Sequence, residues 1–305
     1  MKIHYLKHKE INIRKWDGAV TAAFNSNIYG FSWYLNMVSP NWDALVADDY
    51  EAVMPLPVAT KYGITYVKGN FFTYELGVFS TKVLGADEIN AFLFAIPHKF
   101  KLIDLNLNSF NVVEKCIFET QQNIIYKLDL ISPYPILRDY FHKNTLTKLE
   151  TASSKNIKIL NSANISDLIR LAVAQNIYNL KTEDFDMLKL LSAFAVSRRL
   201  GVVYGAYDSK NSICAAAFFL SIQNKVICLL AAQNEEAKEN FALYSLVNKF
   251  VADNAEKNIT LDFRTFTSPL LSDIPVAFGA HPGKVTAIKR NILPWYVKIL
   301  RKLDK

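Results

Sequence analysis

The sequence predicts a mixed α/β fold made twice over, and three observations carry that prediction. Residues 225–263 read as strand, helix, strand. The order strand, helix, helix, three strands, helix, strand recurs in both halves of the chain. The composition is that of a folded protein: 305 residues, 51% hydrophobic, with only 10 Gly and 10 Pro, which separates it from disordered chains.

The strand–helix–strand stretch is the clearest. Val226-Ile-Cys-Leu-Leu-Ala-Ala232 is a short apolar run of the kind buried in mid-sheet. Leu243, Leu246, Val247, Phe250 and Val251 recur at three-and-four spacing, which is one helical face. Glu235 and Glu236 complement a helix N-terminus. Ile259-Thr-Leu-Asp-Phe263 is the returning strand. Such a unit crosses over right-handed by default.

The remaining elements follow in chain order. Residues 2–6 read as an edge strand, and 14–24 and 30–38 have helical spacing, the second ended by Pro40. Residues 44–57 form a hairpin turning at Asp48-Asp49. Residues 64–67 are a third strand. After an aromatic-rich loop, 87–96 is a helix stopped by Pro97, and 100–106 and 124–130 are strands. The second half gives a strand at 156–160 and helices at 165–174 and 183–198. A hairpin over 202–217 follows, turning at 208–212, then the unit above and a last strand at 285–292. Asp104 and Asp262 correspond, as do the turns at Asp49 and Asn211, at an offset of about 160 residues, which marks a duplication. The expected domains are 1–135 and 156–305, each a mixed central sheet flanked by helices. Between them lies a basic helical linker, 136–155, with Arg138, Lys143, Lys148 and Lys155.

Several function classes are excluded. No run approaches the roughly 20 apolar residues of a membrane span, and the charged start Met1-Lys-Ile-His-Tyr-Leu-Lys shows no secretory leader. Cys116, Cys214 and Cys228 are too few and scattered for a disulfide framework; each reads as a small buried hydrophobe. A reducing, cytoplasmic location is expected. The five histidines are dispersed and no Gly-x-Ser-x-Gly is present, so neither a hydrolase triad nor a metal centre is expected. The net charge of +7 favours anionic partners such as tRNA, a nucleotide-linked substrate or an anionic membrane face; part of it is the tail, Lys298, Arg301, Lys302 and Lys305. The plain alternative is a solvated surface.

The repeated element order is similar to that of the acetyltransferase-like (GNAT) fold. Two copies in tandem resemble the Fem family of peptidoglycan-bridge transferases. Three stretches carry the resemblance from about residue 30 to 294. The first is Tyr126-Lys-Leu-Asp-Leu, then Asp139-Tyr-Phe-His-Lys-Asn-Thr-Leu-Thr-Lys-Leu-Glu-Thr-Ala, then Asn156-Ile-Lys-Ile, which looks like the family's link between halves. The second is Leu261-Asp-Phe, similar to a late Asp-Phe strand of the family. The third is Trp42-Asp-Ala-Leu-Val-Ala-Asp-Asp-Tyr-Glu-Ala-Val-Met-Pro-Leu-Pro with Leu76-Gly-Val-Phe79, which resembles the opening half of a Bacteroidetes-type, FemAB-like subgroup. The resemblance implies transfer of an acyl or aminoacyl group to an amine of a cell-envelope precursor. The implied donor is aminoacyl-tRNA or acyl-CoA, and no tightly bound cofactor or DNA partner is implied. It also admits a CoA-dependent N-acyltransferase acting on an envelope sugar amine. Two departures stand out. Where an acyl-CoA-binding GNAT domain has a glycine-rich pyrophosphate loop, this chain reads Ala237-Lys-Glu-Asn-Phe-Ala242, with Glu235, Glu236 and Glu239 close by. Two positions after Phe263 the family commonly has Gly, and Thr265 stands here. Both departures favour a third reading, a ligand-binding protein that kept the fold and lost catalysis.

Amide transfer needs a held carbonyl, donors for its oxyanion and a base or water for the amine proton. Asp262 is the candidate catalytic residue, because ligands of open α/β sheets sit at strand ends; it reads equally as the ion-pair partner of Arg264. Arg264 could itself hold a phosphate or carboxylate. The glycine-bracketed loop Lys68-Gly-Asn-Phe-Phe-Thr-Tyr-Glu-Leu-Gly77 offers Tyr74 and Glu75 for substrate binding. Lys289 and Arg290, with Lys284 and His281, form a basic patch for phosphates, or an edge strand guarded by charge. The substrate is expected in a cleft between or beside the two sheets.

Overall fold

The computed structural model describes residues 1–61, 63–268 and 271–293, without the side chains of Thr265 and Thr267. The lysines and arginine of the tail lie outside them.

The first half runs β1 (Ile3–Leu6), α1 (Ile13–Ala22), α2 (Ser32–Val38), β2 (Trp42–Ala47), β3 (Ala52–Lys61), β4 (Ile64–Lys68), β5 (Phe79–Ser80), α3 (Ala86–Phe94), β6 (Leu102–Asn106) and β7 (Glu119–Asp129). Next come α4 (Tyr134–Asp139), α5 (Lys143–Ser154), β8 (Lys158–Leu160), α6 (Ile165–Gln175), α7 (Thr182–Ser197), β9 (Gly201–Tyr207), β10 (Ile213–Ile222) and β11 (Lys225–Gln233). The chain continues through α8 (Glu235–Glu239), α9 (Ala242–Asn254), β12 (Thr260–Asp262), α10 (Asp273–Ala277) and β13 (His281–Asn291). The short β5 and α10 carry too little periodicity to be read from sequence.

Two compact units result: residues 1–124 with the segment from Lys284 onward, and Ile125–Gly283. The sheet of the first runs β1-β2-β3-β4-β6-β13, with β5 on β3. That of the second runs β8-β9-β10-β11-β12-β7. The pairing senses match strand for strand. Three antiparallel steps lead to one parallel pair, β4 with β6 and β11 with β12. An antiparallel strand from the other half of the sequence then follows, β13 beside β6 and β7 beside β12. Asp104 thus stands between Lys68 and Lys289, and Asp262 between Ile227 and Lys127. The fold is two tandem GNAT-like domains, as the repeat predicts.

The core of the first unit is aromatic. Trp16 and Trp42 are fully buried with ring centroids 4.7 Å apart, and Trp16 Nε1 donates to the Gly30 carbonyl at 2.8 Å. In the second unit Phe219 stacks on Phe250 of α9 at 3.8 Å. Burying one such side chain stabilises the fold by about 2–3 kcal/mol. The crossover helix expected between β11 and β12 is broken. Phe241 takes a left-handed φ of 56°, and the Asn240 Oδ1 accepts from the Ala242 N–H at 3.1 Å, so α8 ends and α9 starts afresh. Helix α5 packs into the second unit: Ala152 is buried, and the Thr145 hydroxyl donates to the Ala277 carbonyl at 2.9 Å.

Candidate functional site

In the second unit β11 and β12 pair in parallel only from Lys225 to Ile227, against Thr260 to Asp262. Beyond that point β11 continues to Gln233 without β12. Opposite the separation, Phe218 and Phe219 of β10 face Leu230 and Cys228, so Leu229 is an extra residue, a bulge. Side chains from the end of α6 and the segment just after it take up the freed edge. The Tyr178 hydroxyl donates to the Ala231 carbonyl at 2.7 Å, and the Gln233 N–H donates to Gln175 Oε1 at 3.2 Å. The chain after β12 turns away: the Phe263 N–H donates to the Tyr126 carbonyl at 3.0 Å, and Arg264–Thr267 form a 3-10 turn.

Asp262 closes β12 at this separation and is 7% exposed. Lys127 stands directly opposite it on β7, and directly opposed residues of an antiparallel pair project to one face. Arg264 is half-buried just beyond. Cys228 is fully buried nearby; burial first, and the Asp262 carboxylate second, hold its thiol well above its ordinary range. A thiol so held is a poor nucleophile. Sequence reasoning finds Asp262 and Arg264 but misses Lys127, Tyr178 and Gln175. A tyrosine in an Asn-Ile-Tyr-Asn loop carries no signal of where its hydroxyl lands.

Beside α8 a cavity of about 440 Å³ is lined by Lys155, Ile157, Asp208, Ser209, Glu236, Glu239 and Asn240. Three carboxylates face one ammonium there, an environment that opposes a pyrophosphate. Asn234 itself fills the helix N-terminus, its Oδ1 accepting from the Ala237 N–H at 2.8 Å. Among the described residues no group of His, Cys, Asp or Glu side chains gathers to hold a metal.

Tyr74, Glu75, Lys289 and Arg290 belong to the first unit. The loop from Gly69 to Gly77 is pinned at each step. Asn70 Oδ1 accepts from the Phe72 N–H at 2.8 Å, the Tyr34 hydroxyl donates to the Phe72 carbonyl at 2.7 Å, and Asn27 Nδ2 donates to the Glu75 carbonyl at 2.9 Å. Glu75 is buried and Tyr74 half-buried. Lys289 and Arg290 do not act as one patch, because successive strand residues point to opposite faces. Lys289 Nζ donates to Gln121 Oε1 at 3.2 Å on an exposed face. The Arg290 guanidinium lies over the Phe118 ring at 5.0 Å and donates to the Phe100 carbonyl at 3.3 Å; burial lowers its pKa.

No family model and no curated protein matches the sequence. Solved structures do match. A crystal structure of FemX has a TM-score of 0.63 at 10% identity, covering 94% of this chain and 97% of that one. L-PGS from Bacillus licheniformis gives 0.53 at 10% identity, covering 94% of each chain. The C-terminal domain of a putative lysylphosphatidylglycerol synthetase from Agrobacterium fabrum gives 0.51 at 7%, over 89% of this chain and 91% of that one. Identities this low speak for the fold alone, and by fold the chain is Fem-like, two GNAT-like domains in tandem along nearly its whole length.

Proposed function

We propose that this protein is an acyl or aminoacyl transferase of the Fem-like type, which moves an acyl group from a carrier to an amine of a cell-envelope precursor. The observation that carries this reading is the buried carboxyl of Asp262 at the end of β12, beside the length of β11 that β12 leaves free. In the reaction the amine nitrogen bonds to the carrier's acyl carbon. The carrier oxygen or sulfur leaves with its electron pair, and the amine proton passes to a base. Asp262 is that base or the anchor that orients the ammonium before transfer, at a distance from bulk water that strengthens either role. Lys127 opposite it keeps a cation at hand for the developing oxyanion.

Aminoacyl-tRNA is favoured over acyl-CoA as donor, since the cavity beside α8 is lined by Asp208, Glu236 and Glu239 and the segment Ala237–Ala242 has no glycine. A cytoplasmic location goes with such a donor. The sequence resemblance to the Fem family of peptidoglycan-bridge transferases supports a peptidoglycan precursor as acceptor. Labelled aminoacyl-tRNA, or labelled acetyl-CoA, incubated with the protein and a peptidoglycan precursor tests this. Transfer from the tRNA is expected, and Asp262→Asn should lower kcat/KM roughly 100-fold while the melting temperature is kept. Transfer from acetyl-CoA alone, or full activity of Asp262→Asn, rejects the reading. The second reading, a binding protein without catalysis, is favoured by Thr265 where the family commonly has glycine. It requires that no donor turn over and that the precursor bind with unchanged affinity when Asp262 is replaced.

A further inference from the structure

The free stretch of β11 is not bare. An unpaired strand edge offers a row of N–H and C=O groups that an extended amide chain can pair with. Here two of those groups are already engaged by side chains of one short segment. Tyr178 Oη donates to the Ala231 carbonyl at 2.7 Å, and Gln175 Oε1 accepts from the Gln233 N–H at 3.2 Å. The Gln175 amide is committed to this contact at some expense: its Nε2 is shielded from solvent and finds no hydrogen-bond partner among the described residues. The segment is also anchored. Ile177 and Tyr178 pack on the hydrophobic core of the second unit. Asn176 and Asn179 adopt left-handed φ values of 46° and 50°, which bend the chain out of α6 and back along the sheet. The bulge at Leu229 and the end of β12 open the edge; Gln175 and Tyr178 close it again.

We propose that Tyr178 and Gln175 are specificity-determining residues: they close the free edge of β11 to an extended amide chain and so select against donors carried on a pantetheine arm. The assignment of a donor rests on the transferase reading, whereas closure of the edge is a property of binding and is measured without transfer. A donor esterified to a ribose has no amide chain to lay along β11 and is not penalised. A coenzyme A thioester is penalised twice, its pantetheine arm by the occupied edge and its diphosphate by the carboxylates of the cavity beside α8.

The test titrates pantetheine, which has the amide chain but no diphosphate, and coenzyme A into the intact protein by calorimetry. Wild type is compared with Tyr178→Phe and with the double variant Tyr178→Phe, Gln175→Ala. Tyr178→Phe keeps the packed ring and frees the Ala231 carbonyl, so it serves if the double variant melts early. Pantetheine is expected to bind Tyr178→Phe about threefold more tightly than wild type, and the double variant at least about tenfold more tightly. Coenzyme A should gain less, because its diphosphate still meets the acids. Equal pantetheine affinity in wild type and both variants, tight or undetectable, overturns the proposal. Absence of transfer by wild type from any donor, with the pantetheine gain intact, rejects the transferase reading and leaves the closed edge standing.

Discussion

Asp262 and Cys228 illustrate how burial sorts reactive groups. The carboxyl sits at a strand end where the sheet separates, and the thiol lies inside the sheet. Both buried cysteines are held as thiols. Burial, then Asp208 and Glu236, push Cys214 up to about 11 from an ordinary value near 9, and Cys228 is raised well above that value. The sign of the linkage follows. The folded state keeps protons that the unfolded state gives up above pH 9, so this contribution is whole below about pH 9 and is lost as pH rises through 11. Tyr5, Tyr204 and Tyr244 act in the same direction, each raised first by burial and then by a hydrogen-bonded aspartate, Asp43, Asp253 or Asp273. The melting temperature should therefore fall steadily from pH 9 to 11. Iodoacetamide at pH 9 should label the half-buried Cys116 and spare Cys214 and Cys228 until denaturant is added, as read by mass spectrometry. Labelling of all three in the native protein, or a flat melting profile, contradicts it. At this scale Asp262 is legible because an acid in an apolar strand is conspicuous. Lys127 and Tyr178 are not, since their importance comes from register and reach.

At the scale of elements, the aromatic loop after β4 ends in a braced segment. Asn25, Asn108 and Asn111 all donate to the Val78 carbonyl, at 2.8, 3.2 and 3.0 Å, and Asn111 Oδ1 accepts from the Val78 N–H at 2.7 Å. Gly77 makes this possible. Its φ is +95°, and a Cβ there would stand 2.2 Å from Asn111 Oδ1. Gly77→Ala is expected to cost about 2–4 kcal/mol through backbone strain and the lost knot. That would lower the melting temperature by several degrees; an unchanged melting temperature would show that the knot tolerates a methyl group. The sequence reads this loop as a binding loop because asparagine, glycine and aromatic residues mark both uses. Where the amides point is set by long-range partners, which the sequence does not show. The broken crossover helix is a like case. The apolar spacing of α9 is plain in the sequence, while the left-handed Phe241 that separates it from α8 has no local signature.

At the scale of the whole molecule, β7 and β13 each finish a sheet begun by the other half of the sequence. A chain stopped after Gly283 keeps every residue of the second unit but removes the antiparallel neighbour of β6. Hydrogen exchange should then show protection lost in β4 and β6 and retained in β10 and β11; unchanged protection in the first unit would mean that β13 is dispensable there. The sequence by itself determined the class of fold, the duplication and the acid at the end of the late strand. These depend on periodicity, turn chemistry and repeated order, all of which are local. Tertiary structure alone decided that the last strands are exchanged, which groups Lys289 and Arg290 meet, and that Tyr178 and Gln175 bond to β11. Those outcomes depend on pairing between residues far apart in the chain, where a strand has the same apolar alternation whichever neighbour it takes and a side chain's hydrogen bond is set by the register its partner happens to adopt.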